Sequence, residues 1–184
     1  MMHRLDICSR QEFRAWLCQH HLDEAECWVR CSRSKEPPAD VVPYLDCVEE
    51  ALCFGWIDST VTHFDGALYQ RFTPRQKHSF WSALNVARCH RLEELGLMTE
   101  AGRAVLPSDY CVTIDDDIRE ALQRDPVVWR NFCAFPQLYR DIRICNLQRS
   151  RSNPANFSKM LQNLIEKTRQ NKLYGSWNDG GRLL

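Results

Sequence analysis

Apolar residues recur along the chain with two periods. Between Ser9 and Gln19, Phe13, Trp16 and Leu17 stand three or four apart, and Ser9 and Glu12 have the spacing of a capping box. This predicts a helix, ended by His20 and His21. Glu26 to Ser32 alternates around Trp28 and Val29 and predicts a strand. Lys35 to Asp40, with Pro37 and Pro38 adjacent, predicts a loop. Pro43 to Phe54 returns to the helical period with Leu45, Val48, Ala51 and Leu52 inward; Pro43 suits its first position and Gly55 a left-handed C-cap. Trp56 to Thr62 and Leu68 to Thr73 then alternate on either side of Asp65-Gly66, the strongest hairpin signal in the chain. Pro74 has no N–H to donate and closes the second strand.

Helices dominate the remainder. Ser79 or Ser82 caps one reaching about Leu95, where Gly96 stops it, and Thr99 to Leu106 forms a short one. Asp115, Asp116 and Asp117 open another, where carboxylates complement the dipole, and Asp125-Pro126 opens the next. Asn153-Pro154 begins a last helix with Phe157, Leu161, Leu164, Ile165 and Thr168 on one face. The pattern predicts an α+β fold, mostly helical, with a small antiparallel sheet built on the 56–62/68–73 hairpin and a helical C-terminal part. It divides into an α+β domain over 1–108 and a helical subdomain over 109–184, frayed after residue 173.

Composition narrows the function classes. A chain of 184 residues with zero formal net charge has no global field favouring nucleic acid or acidic membranes. Arg140 to Arg182 nevertheless carries nine Lys or Arg residues against Asp141, Glu166 and Asp179. A continuous arginine stripe there would favour nucleic acid, and this reading ranks last. The ten cysteines lie mostly inside apolar periodic segments, with no C-x-x-C and no Cys/His knuckle. They read as small buried hydrophobes without zinc or disulfides. The N-terminus has no apolar leader core, and no run approaches 18 apolar residues. The expectation is a reduced, cytoplasmic protein with no membrane span.

Candidate chemistry concentrates between Phe54 and Asn85. Trp56 and Asp58 share one face of the first hairpin strand. Arg71 and Arg75 leave the second, and Ser79, Trp81 and Asn85 start the following helix. A carboxylate, two guanidinium groups and a helix N-terminus can hold a small anionic or zwitterionic molecule. The same residues could instead tie the hairpin to the helix through a structural Asp58–arginine pair. Cys53 and Cys89 have candidate bases in His63, His78 and His90, but no nucleophile elbow and no glycine-rich phosphate loop appears. No metal ligand set and no cofactor site can be read from these residues.

Three segments, EEALCFGWIDSTV, RFTPRQKHSFWSALNVAR and GLMTEAGRAV, resemble the YdeI/OmpD-associated, bacteriocin-protection family. The resemblance is densest from Glu12 to Leu106. It implies a soluble α+β domain with a helical C-terminal part and no defined biochemical activity. The expected function is therefore a non-enzymatic binding or stress-protection protein, with a small-molecule or peptide site built from Trp56, Asp58, Arg71, Arg75, Ser79, Trp81 and Asn85. The alternative is a small-molecule enzyme using the same cleft, with Asp58 as general base and Arg75 as anion anchor.

Overall fold

Strand pairing divides around β2 (Cys27–Ser32), the strand that most of the sheet contacts. The computed structural model describes residues 3–77 and 79–183, and His78 lies outside them. The chain forms two compact units, Met1–Phe80 with Arg88–Pro107 and Trp81–Ala87 with Ser108–Leu184.

In the first unit the strands run in the order β1 (Arg4–Leu5), β2, β5 (Ala67–Pro74), β4 (Trp56–Phe64), and β3 (Val42–Pro43) also pairs with β2. The expected antiparallel hairpin is present. Asp65 (φ 48°) and Gly66 (φ 78°) turn between β4 and β5 with the left-handed backbone a tight two-residue connection requires. The sheet is mixed rather than antiparallel throughout, because β1 and β3 both run parallel to β2. Each is two residues long, too short to leave a periodic signal. A bulge between Asp58 and Val61 breaks the β4–β5 register.

Cross-strand partners share a face of the sheet, so Cys27, Val29, Asp58, Gln70 and Phe72 line one side. Helix α1 (Arg10–His20) covers it, with the Phe13 ring 5.3 Å from Phe72. Ser9 caps α1 by accepting the Glu12 N–H at 3.2 Å, and the Glu12 carboxylate reaches back to Cys8 N–H at 2.9 Å. Helix α2 (Tyr44–Cys53) buries Val48, Ala51 and Leu52. Gly55 (φ 73°) then turns the chain into β4. Helix α4 (Glu100–Val105) meets the end of α2, where the Cys53 carbonyl accepts both the Thr99 hydroxyl (2.6 Å) and the Thr99 N–H (3.1 Å). Helix α3 (Ala83–Glu94) starts in the second unit and runs on into the first.

The second unit packs α5 (Asp116–Gln123), α6 (Pro126–Ala134), α7 (Gln137–Arg149) and α8 (Pro154–Arg169) around Ile118, Leu122, Val128, Phe132, Ile144, Leu147 and Leu164. Asp125 caps α6 and Asn153 caps α8, as their Asp-Pro and Asn-Pro dipeptides predict. Asp115 stands at the N-cap of α5 without a side-chain cap bond. Its carboxylate instead joins that of Asp117 on Arg151, at 2.6 and 2.7 Å. Beyond Leu173, where fraying is expected, Tyr174 and Trp177 pack edge-on against Tyr139 at 6.1 and 5.9 Å. No helix among the described residues is long and apolar enough to cross a membrane.

Candidate functional site

The pleat of the sheet sorts the expected site residues. Asp58 pairs with Phe72, so Arg71, one residue along β5, points to the opposite face. There its guanidinium grips Glu26, with Nε 2.8 Å from Oε2 and Nη2 on the same oxygen, and holds that carboxyl below its ordinary range. Trp56 is 1% exposed and its indole N–H donates to the His21 carbonyl at 3.1 Å. Its ring meets Trp16 edge-on at 5.8 Å. It is a core residue that aims β4 and presents no surface to a ligand.

The Asp58 carboxylate accepts the Tyr44 hydroxyl at 2.7 Å. Burial of Arg75 lowers its pKa to about 10, a shift that the nearby Asp58 charge opposes. Arg75 donates to Ser79 Oγ at 3.1 Å and to the Phe80 carbonyl at 3.3 Å, so it also shapes the segment that follows it. Ser79 is thus placed beside Arg75. Trp81 and Asn85 belong to the second unit. The Trp81 carbonyl accepts the Tyr110 hydroxyl at 3.3 Å, and the Asn85 N–H bonds the Ser82 side chain at 3.2 Å, the actual cap of α3.

Sequence reasoning missed Arg33, Tyr44 and Gln70. The Arg33 guanidinium lies 4.0 Å over the Tyr44 ring and donates to Gln70 Oε1 at 3.0 Å. Gln70 is fully buried, its amide N–H groups held by the Thr60 and Arg71 carbonyls at 3.1 and 3.2 Å. With Tyr44 bound to Asp58, a polar chain runs from Gln70 through Arg33 and Tyr44 to Asp58. Burial and the Asp58 charge push the Tyr44 hydroxyl well above the usual phenol range, so it stays a hydrogen-bond donor. No local pattern marks these residues; only the bulge and the fold of the 33–43 loop bring them together.

A second charged group also escaped the sequence reading. Glu49 and Glu50 are each 1% exposed on α2. Arg10 reaches Glu50 at 2.5 Å and Glu49 at 2.8 Å, Arg14 reaches Glu50 at 2.7 Å, and Arg91 reaches Glu49 at 3.1 Å. Every carboxylate oxygen is engaged, which makes this a structural clamp of α1, α2 and the later part of α3.

The cysteines are all free thiols. Burial raises Cys53 to about 11 and Cys89 to about 12, so neither is a thiolate nucleophile at neutral pH. No cluster of three or more His, Cys, Asp or Glu side chains suited to a metal ion occurs among the described residues.

Family models match both halves of the chain. One, described as a domain of unknown function (DUF8412), covers residues 5–105, more than half of the sequence. The chain belongs to that family. A second, described as Bacteriocin-protection, YdeI or OmpD-Associated, covers residues 112–171. The YdeI/OmpD-associated likeness therefore resides in the C-terminal helices, whereas the segments between Glu12 and Leu106 that resemble that family fall to the domain of unknown function. The match supports a bacteriocin-protection-related function at that coarse level. No curated protein and no solved structure matches the chain.

Proposed function

We propose that the protein is a non-enzymatic binding protein in protection against bacteriocins or other antimicrobial peptides, with a small anionic or zwitterionic ligand held near Tyr44, Asp58, Arg75 and Ser79. The observation that carries this reading is the half-buried pairing of Asp58 with Tyr44 at 2.7 Å, whose carboxylate charge acts on the buried Arg75. A carboxylate and a guanidinium in one low-dielectric neighbourhood present opposite charges to a zwitterion, with a phenol donor between them. Ten free thiols, four of them exposed, suit a reducing compartment, and we place the protein in the cytoplasm. The protonated Cys53 and Cys89 support the non-enzymatic reading over nucleophilic catalysis.

Native mass spectrometry of protein purified from cells tests the site. The expected result is a retained small molecule in the wild type that Asp58→Asn and Tyr44→Phe lose while keeping the wild-type circular dichroism. An adduct that both folded variants retain unchanged removes the site. So does a wild type that carries nothing and binds none of a panel of amino acids and dicarboxylates.

A further inference from the structure

The ladder between β2 and β5 stops at Arg30↔Tyr69, while β2 goes on to pair with β3 at Cys31↔Val42. Over the same stretch β5 is paired only with β4, at His63↔Leu68 and Phe64↔Ala67. The two strands therefore part, and an open, shallow cavity of about 460 Å³ lies between the end of β2, the 33–41 loop and the hairpin tip. That is the volume of a small-molecule site. Its walls are of two kinds: Pro38, Val41, Ala67 and Leu68 are apolar, and Arg30 and Arg33 are the basic residues among them.

Arg33 is held in place before any ligand arrives. The Tyr44 ring supports its plane at 4.0 Å, and one terminal nitrogen is fixed on Gln70, itself buried and bonded to two backbone carbonyls. Among the described residues its Nε and other terminal nitrogen make no hydrogen bond, and Arg33 is one of the residues lining the cavity. A preorganised planar donor with unused N–H groups matches a carboxylate or a phosphate, and its ordering cost is already met. Arg30 adds a second positive charge. Its partner Asp40, at 3.1 Å, is 63% exposed, and an exposed pair of this kind yields readily to a better acceptor. Asp65 is the one carboxylate among the cavity residues.

We propose that this cavity is an anion site, taking a small molecule that carries a carboxylate or phosphate on a compact apolar body, with Arg33 as its anchor. The proposal shares Tyr44 with the Tyr44–Asp58–Arg75 reading but does not rest on it, and one experiment separates the two. Amide and arginine side-chain NMR spectra are titrated with phenyl phosphate and with benzoate, and with benzamidine as the cationic control. The expected result is saturable shifts at Arg33, Gly66, Ala67 and Leu68 with at least one anion and none with benzamidine. A response to phenyl phosphate alone assigns a phosphate ligand, and a response to benzoate alone a carboxylate.

Arg33→Gln, with its circular dichroism matching wild type, should weaken binding about tenfold or more, the value of a charged hydrogen bond. The absence of saturable shifts with either anion overturns the proposal. Equal binding of benzamidine, or Arg33→Gln binding as tightly as wild type, does the same. Shifts centred on Asp58 and Ser79 instead overturn it while favouring the site under Proposed function.

Discussion

Arg10 Nε lies 2.5 Å from Glu50 Oε1, joining the first turn of α1 to the inner face of α2. Glu50 also takes Arg14, whose other terminal nitrogen donates to the Leu97 carbonyl at 2.8 Å. One buried carboxylate thereby secures two arginines, and one of those arginines holds a distant loop.

Glu50→Gln should therefore be strongly destabilising. It removes the charge that two partly buried guanidinium groups face, and leaving buried charge without its partner costs about 3 kcal/mol or more. Urea unfolding of the variant against wild type measures it. A loss below about 1 kcal/mol would show that the clamp is not a net contributor.

Gly102 sits where α4 crosses the end of α2. A Cβ there would stand 2.8 Å from the Cys53 carbonyl carbon and 2.9 Å from the Leu52 oxygen, both backbone atoms that cannot swing away. Gly102→Ala is expected to cost about 1–3 kcal/mol despite alanine's better helix propensity. The turn glycine Gly66 has open space around it but a φ of 78°. Gly66→Val should cost on the order of 1 kcal/mol through backbone strain alone. Thermal melts of the two variants read both effects, and unchanged melting temperatures would contradict the crossing and the turn.

Thiol reactivity should split the cysteines by burial. Cys8, Cys18, Cys111 and Cys133 are exposed, and Cys27, Cys31, Cys47, Cys53, Cys89 and Cys145 are buried. Burial pushes Cys31 to about 11, with Cys27 and Cys47 higher still. An aromatic disulfide reagent should therefore modify four thiols quickly in the native protein and the other six only in denaturant. Rapid native modification of more than four would contradict this burial pattern.

The Arg71–Glu26 pair sets a pH dependence. The Arg71 hydrogen bond is the main cause of the lowered Glu26 pKa, with Trp28 Nε1 adding a second donor at 3.1 Å. A depressed carboxyl contributes stability that is fully present above its unfolded value, about 4.3, and is lost as the pH falls through the folded one. Carboxyl carbon NMR should place Glu26 below the ordinary glutamate value. Arg71→Gln should move it back up, and identical titrations in the two proteins would exclude the pair as the cause.

The hairpin, the capped helices and the C-terminal stripe were legible because each is written locally: Asp65-Gly66, Ser9 with Glu12, Asp125-Pro126, and the apolar face of Phe157 to Thr168. The candidate site was legible only in part. Arg75 and Ser79, four apart along the chain, meet in a hydrogen bond, but the pleat turns Arg71 away and Trp56 is drawn into the core. Arg33 and Tyr44 depend on a loop whose path no periodicity encodes. Glu49 and Glu50 failed for a different reason: charges on a helix read as a solvated face until three arginines from elsewhere in the chain are seen to meet them.

The route of the chain through α3 has a practical consequence. Residues 81–87 count with the helices that follow Ser108, yet residues 88–107 return to the sheet-bearing unit and bring it Arg91 and the Leu97 carbonyl. No single scission can therefore separate the two units and leave both whole. Cleavage after Phe80 takes from Glu49 one of its guanidinium partners, and cleavage after Pro107 leaves Trp81 without the Tyr110 hydroxyl. During synthesis the sheet-bearing unit likewise stays incomplete until the first turn of α3 has already been made.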